Sequence, residues 1–279
     1  MIKSILAVIG LLGCVWVAEV VGSRAIATPG TKPDVIVLSA KNTLSLNQTV
    51  TEESMAQLES DLIKMSLKLA PTGDIYLVMN TPGGDVHAGT KFIDIMKSIP
   101  QKIHTLTIFS ASMGFHIVQN STGDRFILPS GTLMSHRAKG GMEGEFGGSI
   151  QVRLSWIANT LTRLDQICAD RMGLRLPDYQ QLIRDEYWVE GQNSVDQHAA
   201  DKLVVARCDA SLMGEDKVTI QTMFGAATIT TSHCPLITAP TMIEAKEQSV
   251  KDFFNSWYTN PVSFVETYIM TSRYKEFLR

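Results

Sequence analysis

The chain has 279 residues, 44% hydrophobic and 19% charged, with 25 basic against 28 acidic side chains, a formal net charge of −3 and a mean hydropathy of +0.06. That length and apolar content fit a globular chain with a full core, one sizeable domain plus an appendage, and exclude disordered or collagen-like polymers. The near-balanced charge leaves no electrostatic footprint for nucleic acid.

Residues 1–27 read as an export signal. Lys3 gives a short positive start, residues 5–18 are an almost unbroken apolar run, and Arg24-Ala25-Ile26-Ala27 offers small side chains at the A-x-A spacing of a signal-peptidase site. Two other readings compete. Leu11-Leu12-Gly13-Cys14 resembles a lipoprotein box, but the Val15-Trp16-Val17 behind it is too apolar for a lipoprotein's start. Residues 4–22 would serve as an uncleaved membrane anchor, although Glu19 shortens the span below the usual ~20 residues. An exported, periplasmic or extracytoplasmic protein is the expectation, with membrane association through the N-terminus as its alternative.

The remainder alternates strand and helix patterns. Residues 34–39 (DVIVLS) form a β-branched run. Thr49-Val50-Thr51-Glu52 is an S/T-x-x-E capping signature, followed at helical spacing by Met55, Leu58, Leu62, Met65 and Leu69. Residues 74–79 read as a buried strand. A Pro82-Gly83-Gly84 turn leads into a helix carrying Phe92, Ile95, Met96 and Ile99, which Pro100 stops. Residues 104–109 are a strand, 112–119 a short helix, and 125–128 and 132–135 two short strands. Helices are predicted over 150–172 and 177–185, one helical turn over 195–200, and a strand over 203–206. Such alternation predicts a mostly parallel sheet with helices outside. From about residue 211 the pattern changes to a hairpin (217–222 and 227–231), a proline-containing link and terminal helices with Phe253, Phe254, Trp257, Phe264 and Tyr268.

Cys208 and Cys234 flank that hairpin and are expected to form a disulfide, which suits an oxidising compartment. Cys14 leaves with the signal, and Cys168 reads as a buried thiol. No C-x-x-C occurs and the six histidines lack metal-site spacing, so no metal and no cofactor are expected.

Three segments carry candidate chemistry. Asn80-Thr81-Pro82-Gly83-Gly84-Asp85 lies between strand and helix, where glycine lets the backbone approach a ligand and aim an N–H at it. Taken alone it is an ordinary turn. Ser112, in Ser110-Ala111-Ser112-Met113-Gly114, sits at the next strand-to-helix junction. Its bland role is an N-cap. Its reactive role is nucleophile, with Ala111 and Gly114 leaving a substrate room and the N–H groups of Gly84 and Met113 receiving an oxyanion. A serine needs a base, and His136 ends a short strand at Met134-Ser135-His136-Arg137; a carboxylate must in turn hold the imidazole, for which Asp185 and Glu186 are candidates.

Together these pieces resemble the proteolytic subunit of Clp protease and its ClpP-like relatives. The matching stretches are NTPGGDVHAG (80–89), ASMG (111–114), GDRFILPSGTLMSHR (123–137) and EYW…AADKLV (186–204), in the family's order and close to its spacing, over residues 34–207. The resemblance implies an α/β fold of the ClpP/crotonase type, with repeated strand-strand-helix units, over 28–210, followed by a hairpin and helical extension over 211–279. It implies a Ser–His–acid peptidase with Ser112 as nucleophile, His136 as base, Gly84 and Met113 as oxyanion donors, and Gly83 and Gly114 at the substrate. Anchoring on Trp188 and Asp201 puts Glu186 in the acid's place, and counting forward from His136 without gaps puts Asp185 there; Glu186 is preferred, because the anchoring aromatic and helix lie nearer to it. It also implies a homo-oligomer, a ring or something smaller, acting on peptides or unfolded proteins. An ATP-driven unfoldase is doubtful as partner for an exported chain. The competing functions are a Ser–Lys protease of the signal-peptide-peptidase kind using Lys139, an acyl-CoA-binding crotonase, and a catalytically silent scaffold.

Overall fold

The computed structural model describes residues 33–245, apart from 142, 146, 147, 223 and 224, together with residue 248. The expected signal at 1–27 and the aromatic terminal helices with Phe253, Phe254, Trp257, Phe264 and Tyr268 lie outside the described residues. Among the described residues no helix is long and apolar enough to cross a membrane.

The first strand, β1 (Asp34–Leu38), is followed by β2 (Thr43–Leu46), α1 (Glu52–Lys68), β3 (Asp74–Thr81), α2 (Val86–Ser98), β4 (Lys102–Ala111), α3 (Met113–Gln119) and β5 (Arg125–Ser135). Then come α4 (Ser149–Met172), α5 (Leu176–Leu182), β6 (Tyr187–Glu190), α6 (Gly191–Asp196) and β7 (Lys202–Cys208). Strands run in the order β1-β7-β5-β4-β3-β2, all parallel, with β6 added antiparallel to β5. The expected mostly parallel α/β sheet is therefore present. Strand alternation feeds two apolar layers. Ile75, Leu77 and Met79 of β3 enter the larger core beneath α1–α5, while Val78 joins Leu38, Leu106, Phe126 and Val204 on the opposite face.

Local chemistry explains where the elements begin. The helix expected after Thr49 starts two residues later, because Val50 is held extended: its N–H donates to Gly83 O (2.8 Å) and its carbonyl accepts from Asp85 N–H (2.9 Å). Thr51 is the N-cap, and Ser54 rather than Glu52 closes the capping box, with Ser54 N–H donating to Thr51 Oγ1 at 3.1 Å and Thr51 N–H to Ser54 Oγ at 2.9 Å. The two short strands expected over 125–128 and 132–135 are one strand, β5, whose register against β4 shifts between Ile127 and Thr132. That shift lets its first half pair with β7 and its second half with β6. The helical turn expected over 195–200 sits earlier, as α6, with Glu190 as its N-cap.

Beyond β7 the antiparallel sheet of β8 (Glu215–Thr222), β9 (Gly225–Ser232) and β10 (Met242–Ala245) contains the expected hairpin. The segment read as a mere link supplies its third strand, which pairs Met242–Ala245 with residues 227–230. Cys208 and Cys234 are joined in a disulfide with Cα atoms 5.9 Å apart, and Cys168 is a buried free thiol.

Candidate active site

Ser112 lies between β4 and α3 in an unusual backbone conformation, φ 55° and ψ −118°. A serine merely capping a helix has extended backbone and accepts an N–H from the first turn. Ser112 does neither: it makes no side-chain cap bond. Its N–H donates instead to Met134 O of β5 at 2.9 Å, which ties the turn to the neighbouring strand. Holding a non-glycine residue at positive φ costs about 1–3 kcal/mol and persists only where the surroundings enforce it. The result leaves Oγ unengaged by the helix N-terminus.

His136 follows the last residue of β5, and β5 is the parallel neighbour of β4. Adjacent strand ends therefore bring the two residues together, with His136 Nε2 and Ser112 Oγ 2.8 Å apart. Burial lowers the His136 pKa, and the Lys139 charge lowers it further, while Glu186 opposes them. The neutral imidazole, the form that takes a proton, is thus favoured.

The carboxylates separate by register. Antiparallel pairing matches Ser135 with Tyr187, so the next residues outward, His136 and Glu186, face each other. Glu186 adopts φ 72° at this corner. Its Oε2 accepts from Trp188 Nε1 at 3.0 Å and its Oε1 lies 3.6 Å from Lys139 Nζ. These contacts, the Trp188 hydrogen bond first, hold its pKa below the usual carboxylate value. Asp185 is exposed and doubly bonded by Arg184, at 2.9 and 2.6 Å. Neither carboxylate touches His136 Nδ1, which is buried without a hydrogen-bond partner among the described residues. Glu186 stands across the strand pair from that nitrogen; Asp185 is engaged elsewhere.

Of the two expected oxyanion donors, Met113 directly follows Ser112 and Gly84 lies in the loop after β3. Met113 is the first residue of α3, so its N–H precedes the helix's own ladder, and its side chain is buried against Gly89 of α2. Gly84 is exposed at φ +146°, with room beside it occupied by Val50 O. The two glycines expected at the substrate are packed closely against the protein's own chain. A Cβ on Gly83 would lie 2.4 Å from Ala111 O and 2.7 Å from Met113 N, so its bareness lets the loop close on the nucleophile turn. A Cβ on buried Gly114 would meet Thr81 Cγ2 at 2.6 Å and Ser110 Oγ at 2.8 Å, so that space admits protein, not substrate. Lys139 is exposed and pairs with Glu186; the Ser112 hydroxyl meets the histidine, not the lysine.

Beside Ser112 opens a cavity of about 350 Å³, whose lining includes Val86, Met113, His136, Leu161 and Asp165. Behind it lies a neutral polar cluster. Burial lowers His116 to a pKa of about 4, and its Nδ1 is 3.1 Å from Cys168 Sγ, a thiol that burial keeps protonated. Tyr179, likewise raised by burial, bonds Ser135 Oγ at 2.8 Å and braces the strand end that carries His136. Sequence reasoning missed this support and missed Asp165; their only signal was polar residues recurring on helix faces that are otherwise apolar.

The Clp protease family model matches residues 33–207. The chain belongs to the Clp protease family. It is similar to the ATP-dependent Clp protease proteolytic subunit of Lactococcus lactis subsp. lactis (strain IL1403), 31% identical over 136 residues, covering 48% of this chain and 68% of the relative. The proteolytic subunit of Streptococcus suis (strain 98HAH33) is 34% identical over 131 residues, 45% of this chain and 65% of the relative. The matched span is thus about two-thirds of these relatives' length. Membership in this family makes the chain a serine-type peptidase.

Proposed function

We propose that the protein is an exported ClpP-like serine endopeptidase that cleaves peptides or unfolded segments through an acyl-enzyme on Ser112. The 2.8 Å contact between Ser112 Oγ and His136 Nε2 carries this reading. His136 takes the Ser112 proton as Oγ attacks the acyl carbon, and the oxyanion is received by the N–H groups of Met113 and Gly84. The imidazolium then protonates the departing amine. A water, deprotonated by the same ring, releases the acyl group and restores the serine.

For Nε2 to accept, the ring proton must sit on Nδ1, and a buried donor without a partner costs about 1–3 kcal/mol. Rotation of the Glu186 side chain away from Trp188 and Lys139 toward Nδ1 would remove that cost and complete the triad. Glu186 is the acid of this reading, and its present contacts describe a resting arrangement.

Export rests on the pattern of residues 1–27 and is supported by the Cys208–Cys234 disulfide, since such bonds persist in oxidising compartments. A self-assembled oligomer follows from the family likeness. Labelling the full chain with a fluorophosphonate probe tests the catalytic reading: the parent reacts, and Ser112→Ala and His136→Ala do not. An unreactive parent would overturn it and favour a scaffold. Alkylating thiols in intact source cells before lysis tests export, a reduced Cys208–Cys234 pair counting against it.

A further inference from the structure

Four residues of α4 line the cavity beside Ser112: Ala158, Leu161, Thr162 and Asp165. Their i, i+3, i+4, i+7 spacing puts them on one helix face. That face passes from exposed Ala158, through half-buried Leu161 and Asp165, to fully buried Cys168. Asp165 therefore lines the same cavity as Ser112, nearer than Ala158 to the buried end of that helix face.

Its carboxylate is poorly compensated. The one hydrogen bond it accepts comes from Gln180 Nε2 at 3.5 Å, the limit of such a contact, and among the described residues no basic side chain forms an ion pair with it. Other acids differ: Asp201 has Arg125, Asp178 has Arg175 and Asp185 has Arg184. The groups that interact with Asp165 are the Cys168 thiol, the Tyr179 phenol and the exposed Arg137, whose charge lowers the Asp165 pKa; the neutral His116 lines the same cavity. Burial outweighs that charge and raises the Asp165 pKa. Val86, Leu161 and Ile183, which also line the cavity, are apolar and suit a methylene stem.

We propose that this cavity receives the side chain on the acyl side of the scissile bond and that Asp165 selects a basic one, lysine or arginine, whose cation forms the close ion pair that Asp165 lacks among the described residues. The proposal rests on the serine-peptidase reading and adds a substrate class to it. An apolar stem ending in a cation matches a cavity lined by Ser112, by apolar Val86, Leu161 and Ile183, and by the Asp165 carboxylate. Asp165 is a specificity-determining residue here, acting on the substrate's side chain and not on the reacting atoms.

The test is a peptide series differing only at that residue: lysine, arginine, norleucine (the uncharged analogue of the lysine stem) and glutamate. The parent is expected to favour lysine or arginine over norleucine in kcat/KM, and Asp165→Asn to cut that ratio by about tenfold or more. A parent that prefers norleucine, or an Asp165→Asn variant with an unchanged ratio, overturns the proposal. Should the chain prove inert to the fluorophosphonate, the peptidase reading fails separately. Binding of N-acetyl-lysine-methylamide to the full chain, followed by calorimetry, then judges the cavity alone: about tenfold weaker binding to Asp165→Asn supports the proposal, equal or absent binding to the parent overturns it.

Discussion

At Ser112 two requirements meet that ordinary helix capping never combines, a positive φ and a hydroxyl withheld from the helix N-terminus. The strain has a purpose if Oγ must reach the His136 ring rather than a backbone N–H. The ring is tuned by charge as well as burial. Because burial and Lys139 both lower its pKa, kcat/KM should rise with pH through a midpoint below the ordinary imidazole value of 6.5. Removing the Lys139 ammonium removes one of those downward influences and frees Glu186, which acts upward. Lys139→Ala should therefore shift the midpoint to higher pH, and a pH–rate profile with no such shift would exclude this coupling. Ser112 and His136, which the structure brings to 2.8 Å, were both singled out in the sequence, since a serine at a strand-to-helix junction and a histidine at a strand end are local features. The Glu186 side chain's engagement with Trp188 and Lys139 was not, because rotamers follow from neighbours that the sequence does not juxtapose.

The elements themselves deliver these residues. β4 and β5 end side by side, β6 folds back on β5, and the loop after β3 packs under the turn between β4 and α3. Gly83 is the tightest point of that packing, at φ +87° with three atoms within 2.8 Å of its missing Cβ. Gly83→Ala should displace the Ser112 turn and reduce kcat/KM by about 10²-fold, as misplacement of reacting groups by about 1 Å does. Retention of full activity would show that the loop does not set the turn's position. Strands β3, β4 and β7 and helices α1, α2, α4 and α5 were readable from hydrophobic periodicity. The short strands β2, β6 and β10 were not: four residues carry too little pattern, and pairing alone makes them strands. Without β6 the preference for Glu186 over Asp185 rested on the spacing to Trp188 and Asp201 alone, whereas the register of β6 against β5 sets the two carboxylates apart.

Across the whole molecule, one ion pair ties the edges of the site's scaffold. Arg125, at the start of β5 and 4% exposed in its side chain, donates to Asp201 at 2.6 Å through Nη2 and at 3.1 Å through Nε, and its backbone N–H adds a bond of 2.8 Å. Gln119 at the end of α3 accepts from the same guanidinium. The pair thus links β5, α3 and the approach to β7. Asp201→Ala leaves a buried cation without its carboxylate and should cost about 3 kcal/mol, toward the low end for such pairs because Asp201 is partly exposed. Urea unfolding measures this directly, and a loss below about 1 kcal/mol would mean that Gln119 and water compensate.

The sequence by itself determined the α/β class, the larger helices and strands, the Cys208–Cys234 partnership and the serine and histidine, because each is written in periodicity, turn chemistry or spacing within a short stretch. Tertiary structure alone decided that Glu186 and not Asp185 faces His136, that Gly83 and Gly114 make room for the protein's own chain, and that Asp165 ends in the cavity beside Ser112. Those outcomes depend on contacts between residues about 30 to 50 positions apart. The energy that selects among them comes from packing and register, which no local window of sequence contains.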